Sequence, residues 1–195
     1  MNALSLQLIN TYSPYKVDVG ESKASYGFST DFGVDYSIDF VPDDLISSDE
    51  SYQLIIANLN NRKSPRDGKV KDTVMCIVEE FFNKNQSTLL YICETGDSKQ
   101  TMRNRLFEYW FSTYKNRGQY AIMSSSITDE DGVVNYATII VRNDNPKMPM
   151  VMAEFSESIH LLSQKPKNEI ECLEGGWVCV LTKRSQDKCT VSIVL

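Results

Sequence analysis

The sequence predicts an α+β fold, a mostly antiparallel sheet with helices packed on one face. Three observations point there. Short stretches in which apolar and polar residues alternate are separated by Asp, Asn and Gly turns. Two longer segments, 69–84 and 98–117, repeat their apolar residues at helical spacing instead. Strands follow one another before the first helix, an order that a regularly alternating parallel fold lacks.

Residues 1–14 are weakly patterned and are expected at the periphery of a main domain covering 15–165. From Tyr15 the chain alternates through Val17 and Val19, then Tyr26 and Phe28, then Tyr36, Ile38 and Phe40. The turn Asp31-Phe32-Gly33 sits between the last two runs, so 15–41 reads as an antiparallel meander ended by Pro42-Asp43-Asp44. Tyr52–Leu59 is a further strand. Asn60–Gly68 carries Ser64-Pro65 and Asp67-Gly68, the densest group of chain breakers, and reads as an exposed loop. The first long helix then places Val70, Val74, Ile77, Val78 and Phe81 on one stripe. It connects Leu59 to Thr88, a crossover that permits one parallel pair in a mixed sheet.

Thr88–Cys93 is a short apolar strand. Glu94-Thr95-Gly96-Asp97 interrupts it, and Asp97 with Gln100 three residues on resembles a capping box opening the second long helix. That helix carries Met102, Leu106, Tyr109, Trp110 and Thr113 on its apolar side, widened by Phe107, Phe111 and Tyr114. Segment 98–117 holds five cations against Glu108, a net charge of +4. A hairpin follows, from Tyr120 through the loop Thr128–Gly132 to Val133–Arg142. After a loop with two prolines, Met152, Phe155, Ile159 and Leu162 predict a third, shorter helix ending before Pro166. Trp177–Thr182 and Cys189–Leu195 read as a C-terminal β-hairpin, an extension covering 166–195.

The formal charge of −6 argues against a general nucleic-acid binder. Residues 1–60 carry two lysines against nine acids and so hold the whole excess. No apolar run approaches the roughly 18 residues that cross a bilayer, and the N-terminus lacks the basic region of a signal peptide. The five cysteines, Cys76, Cys93, Cys172, Cys179 and Cys189, form no C-x-x-C pair and sit in apolar runs, as reduced core thiols of a cytoplasmic protein do. A Cys179–Cys189 bridge stays open for an exported chain.

Catalytic signatures are missing. His160 is the sole histidine, so a histidine-rich metal site is excluded. Nucleophile elbows and phosphate-binding glycine motifs are also lacking, and no catalytic residue, metal ligand or cofactor is assigned. One constellation suggests chemistry. Glu94 and Asp97 precede a helix bearing Arg103 and Arg105, at the carboxyl end of a strand, where helix N–H groups attract anions. A phosphate-bearing small molecule fits that turn, with Arg103 as its clamp.

Y-x-F-x-T at 26–30, Y-x-I-x-F at 36–40 and LLYICETGDSKQTMRNRLFEYWF at 89–111 resemble a family of small uncharacterised bacterial proteins, over about 15–165. The resemblance implies a bacterial cytosolic α+β domain and no particular activity. Three readings of function follow. The first is a non-enzymatic protein-interaction domain of accessory, immunity or defence type, whose partner meets Asp43, Asp44, Asp49 and Glu50. The second is a small-molecule or nucleotide-binding protein, enzyme or not, using Glu94, Asp97, Arg103 and Arg105. The third is a homo-oligomer built through exposed strand edges.

Overall fold

The computed structural model describes residues 1–63, 65–93, 99–128 and 132–164. The expected C-terminal hairpin, 166–195, lies outside the described residues. The elements are α1 (Leu6–Tyr12), β1 (Asp18–Val19), β2 (Ser25–Ser29), β3 (Asp35–Asp43), β4 (Ser51–Asn58), α2 (Gly68–Lys84), β5 (Thr88–Cys93), α3 (Gln100–Ser112), β6 (Tyr120–Thr128), β7 (Val134–Arg142) and α4 (Met148–Gln164). Together the strands form one seven-stranded mixed sheet in the order β1-β2-β3-β4-β5-β7-β6. Neighbours are antiparallel except β4 and β5.

Local chemistry explains the meander. Thr30 donates its amide to the Val34 carbonyl at 2.9 Å to close the β2–β3 turn. Gly33 adopts φ +72°, a conformation that residues with a Cβ rarely take, so the turn requires glycine there; the mobile end of Arg62 lies beside it. Tyr36, Ile38 and Phe40 of β3 are buried beside Tyr52, Leu54 and Ile56 of β4. Asp67 caps α2 by accepting the Lys69 amide, and the helix lays Val70, Val74, Ile77, Val78 and Phe81 on the sheet. Phe81 is its centre, stacked on Phe40 at 4.7 Å between ring centroids and edge-on to Tyr52 at 5.7 Å.

Several expectations need correction. Residues 1–14 contain α1, and Leu4 and Ile9 join the main core. Asn2 donates its amide to Asn85 Oδ1 at 2.7 Å, and Ser5 donates its own to Glu80 at 3.0 Å, so the segment is tied to α2. Seven helical residues with one buried position were too short a sample to show a period. The helices also do not share one face. α2 and α3 cover one side, whereas α4 packs Val151, Phe155 and Ile159 on the other, against Leu90, Ala137 and Ile139. Uninterrupted apolarity in Thr88–Cys93 reflects burial on both faces.

α4 is not a shorter helix; its 17 residues equal those of α2. Pro149, read as a loop residue, occupies the first helical turn, where a missing N–H leaves no bond unmade. α3 is the shorter one at 13 residues, ending before Lys115 and Arg117. Its N-cap is Lys99, with no side-chain cap bond, and not Asp97, which lies outside the described residues. Among the described residues no helix is long and apolar enough to cross a membrane.

Candidate site where the parallel strands part

The single parallel junction is short. β4 and β5 pair at Ser51↔Thr88, Tyr52↔Leu89 and Gln53↔Leu90 only. Both strands continue, held by their outer neighbours: β4 by β3 as far as Asn58, and β5 by β7 as far as Cys93. Past the third rung, the edges of 54–58 and 91–93 that turn toward each other have no ladder partner among the described residues. The sheet therefore parts at the carboxyl ends of its one parallel pair.

The amino ends are pinned. Asp49, with a side chain only 5% exposed, accepts hydrogen bonds from Thr88 Oγ1 (3.1 Å), Asn145 Nδ2 (2.9 Å) and Lys147 Nζ (3.3 Å). Glu50 accepts from Ser87 Oγ at 3.2 Å and from Tyr52. The Tyr52 hydroxyl, the first of the charge-stabilising contacts, holds the Glu50 carboxyl below its usual range.

Charge gathers at the parted ends. The stretch 59–69 after β4 holds Arg62, Lys63, Arg66 and Lys69 against Asp67; the stretch 94–105 after β5 holds Lys99, Arg103 and Arg105 against Glu94 and Asp97. That is a local surplus of four positive charges in a protein whose formal charge is −6. Part of it is engaged: Lys69 pairs with Asp31 at 2.6 Å, and Arg62 donates to the Gly33 carbonyl at 3.2 Å.

The predicted residues fall in different settings. Arg103 is buried at 3% exposure and Arg105 is exposed, on the same helix. Glu94 and Asp97 lie outside the described residues. Burial pushes the Cys93 thiol up to about 11, although the Tyr91 hydroxyl and the Arg103 charge pull it down. A thiol that stays protonated near neutral pH is a core residue and not a nucleophile. His160 is exposed on α4. Among the described residues no three His, Cys, Asp or Glu side chains gather as a metal site requires.

Sequence reasoning missed the polar face of α3. Its buried positions are Gln100, Arg103, Asn104, Phe107, Trp110 and Phe111, a regular helical stripe whose first half is polar. Met102 and Tyr109, assigned to the apolar side, are 56% and 51% exposed. Among the described residues, Gln100 Oε1 and Asn104 Oδ1 have no hydrogen-bond partner, nor does Asn58 Oδ1 at the end of β4. Each such buried acceptor costs about 1–3 kcal/mol. A signal was present: 100, 103, 104 and 107 keep the i, i+3, i+4, i+7 spacing, but only Phe107 is apolar. α2, β5, the polar face of α3 and the β6–β7 hairpin form a contiguous run of chain.

Residues 66–157 match the model of DUF6169, a family of unknown function. This is the uncharacterised kind of family that the sequence resembles. The DUF6169 match begins just before α2 and ends within α4, so it contains both edges of the β5–α3 turn but not the meander, where the resemblance extends further. No curated protein and no solved structure matches the chain.

A separate hollow of about 410 Å³ lies on the bare outer face of β2 and β3, lined by Lys16, Asp18, Ser29, Asp35 and Leu59 among others. It is shallow, and Lys16 and Asp18 pair across its lining at 3.0 Å. None of the three residues whose buried amide oxygens lack a partner lines it.

Proposed function

We propose that the protein binds an anionic, phosphate-bearing small molecule where β4 and β5 part. The observation that carries this reading is the first half of α3. Gln100, Arg103 and Asn104 take core positions there, beside a strand that has lost its parallel neighbour. Buried polar groups that break an apolar pattern concentrate at functional sites. Ligands of open sheets favour the carboxyl ends of strands, and the surplus of cations in the two following loops suits an anion. Arg103 serves as the clamp, exposed Arg105 draws the anion in, and Glu94 and Asp97 precede them in the sequence. The partnerless oxygens of Asn58, Gln100 and Asn104 suit N–H or O–H donors on the same molecule.

A thermal-shift screen of nucleotides and phosphorylated metabolites tests this, with Asn104→Leu alongside. At a hundred times its dissociation constant a ligand adds about 2.7 kcal/mol, which moves Tm by roughly 5–10 °C for a chain of this size. Asn104→Leu removes a buried partnerless oxygen, so its unliganded Tm should rise by a few degrees while the ligand shift disappears. A flat screen on well-folded protein would sink the proposal.

The protein-interaction reading has less to draw on. Of its four acids, Asp49 is buried in the seam network and Glu50 is occupied there. Asp43 accepts the Leu45 amide at 2.8 Å. Asp44 faces solvent. Salt-sensitive capture of a partner from the native host, lost in Asp44→Lys, would restore that reading.

A further inference from the structure

The two edges of the sheet are unlike. β1 ends one side with two residues, next to the Lys16–Asp18 ion pair. β6 ends the other with nine, Tyr-Ala-Ile-Met-Ser-Ser-Ser-Ile-Thr, without a charge, a proline or a glycine. Among the described residues, only β7 pairs with β6. Sheets guard long edges with charges, proline or bulges, because an unguarded edge recruits another strand. β1 is guarded by brevity and charge. β6 has none of these devices.

The pairing with β7 settles which backbone groups of β6 point outward. Gln119 accepts the Asn143 amide at 2.9 Å, and an antiparallel ladder alternates from there. Odd-numbered residues therefore bond β7, while Tyr120, Ile122, Ser124, Ser126 and Thr128 turn their N–H and C=O groups away from it. Tyr120 is served on both: its amide donates to the Arg117 carbonyl, and its carbonyl accepts the Arg117 guanidinium at 2.7 Å. Among the described residues, Ile122, Ser124, Ser126 and Thr128 keep an open edge.

We infer that a second copy of this chain fills the edge, β6 pairing antiparallel with the partner's β6 about a two-fold axis at Ser125. In that register Ile122 meets the partner's Thr128 and Ser124 meets the partner's Ser126, and the two-fold repeats both pairs. Every open position is used, and about eight backbone hydrogen bonds form. The side chains agree with the backbone. Met123 and Ile127, packed beside the α4 cluster, come opposite each other's copies and carry that apolar face across the axis. Centring on Ser124 instead would use Tyr120, already bonded to Arg117, and set Met123 opposite Ser125.

The helix above the edge suits the same partner. Glu154 ties α4 to Ser47 and Ser48 on the meander side. The flank half a turn away, toward β6, holds Met152, Ser156 and Ser163, so α4 sets no charge against its own copy across the axis. A strand that complements itself about one of its own residues recruits its own kind, whereas a foreign strand gains nothing from the two-fold. The inference is independent of the ligand site, which lies at the far side of β5.

Sedimentation equilibrium on the full chain tests it, with crosslinking to read the register. The wild-type chain should sediment as a dimer. Ser126→Pro loses an N–H that faces away from β7, so it should keep its fold and weaken dimerisation at least about ten-fold. Ser125→Cys sets two thiols opposite each other at a non-hydrogen-bonded pair, within disulfide reach. Diamide should then give a reducible dimer above the wild-type background, and Ser124→Cys, one diagonal away from its copy, should not. A wild-type chain that stays monomeric up to the millimolar range would overturn the proposal. So would a dimer that survives Ser126→Pro, or one that fails to crosslink through Ser125→Cys; if the proline variant unfolds, the crosslink decides.

Discussion

The two faces of the sheet are built to different standards. On the side of α2 and α3, aromatic rings follow one another from Tyr26 through Phe40 to Phe81, Phe82 and Tyr120, with neighbouring centroids 4.7–6.2 Å apart. All five are buried, and the cluster they belong to runs from Leu4 to Ile140. On the other side seven buried residues hold α4 to β5 and β7, with the partly buried Met123 and Ile127 of β6 packed beside them, while Asp35, Ser37, Asp39, Gln53 and Ala57 of the meander stay half-exposed. The larger cluster draws on almost every element and decides whether the chain folds. The smaller one only decides whether α4 stays docked.

Truncations should expose this difference. Phe81→Ala removes a ring packed against three others and should destabilise by about 3–5 kcal/mol, a fall in Tm of roughly 6–20 °C. Phe155→Ala, equally buried but in the smaller cluster, should cost about 2–3 kcal/mol, because α4 can settle into the space. Equal losses in denaturant melts would break the comparison.

The smallest effect concerns how α4 is tied to the meander. Burial alone would raise the Glu154 carboxyl, but hydrogen bonds from the Ser47 and Ser48 amides and the Ser47 hydroxyl, at 2.6–3.0 Å, bring it down to about 2. A carboxylate depressed in the folded state stabilises above its unfolded value of 4.5, and that contribution fades as pH falls toward 2. Partial exposure screens the interaction, so about 1 kcal/mol is expected. Glu154→Gln should lose that amount at neutral pH and flatten the stability profile between pH 4.5 and 2. An unchanged acid limb in the variant would show that Glu154 is not the anchor.

What could be read from the sequence followed from the strength of local patterns. Tyr36-x-Ile38-x-Phe40 and Tyr52-x-Leu54-x-Ile56 name their buried face because period-two alternation has one solution. The boundaries of α2 were legible because Asp67-Gly68 breaks the chain and then caps it. The face of α3 was not. Phe107, Trp110 and Phe111 are buried as their apolarity predicts, but Tyr109 and Met102 are apolar yet exposed and Arg103 is charged yet buried, so hydrophobicity alone placed only part of the face. The same inversion hid most of the candidate site. Arg103 and Arg105 were singled out for charge, but Asn58, Gln100 and Asn104 look like ordinary polar residues until burial is known. Side assignment for α4 needed the third dimension, since a stripe of Val151, Phe155 and Ile159 fits either face of a sheet.

The three-rung junction between β4 and β5 also bears on the order in which the chain assembles. The β2–β3–β4 meander and the β6–β7 hairpin close through loops of a few residues, whereas β4 and β5 are separated by 29. Closing that span costs about 1.5 kcal/mol more in chain entropy than closing one of five residues, and it returns only three rungs. Such non-local pairing forms late. β5 and β7 lie farther apart, by 40 residues, but that closure returns five rungs. The three-rung seam is therefore the weakest non-local joint of the sheet and the first to yield, and a molecule lodged at its open end would act as a staple for it.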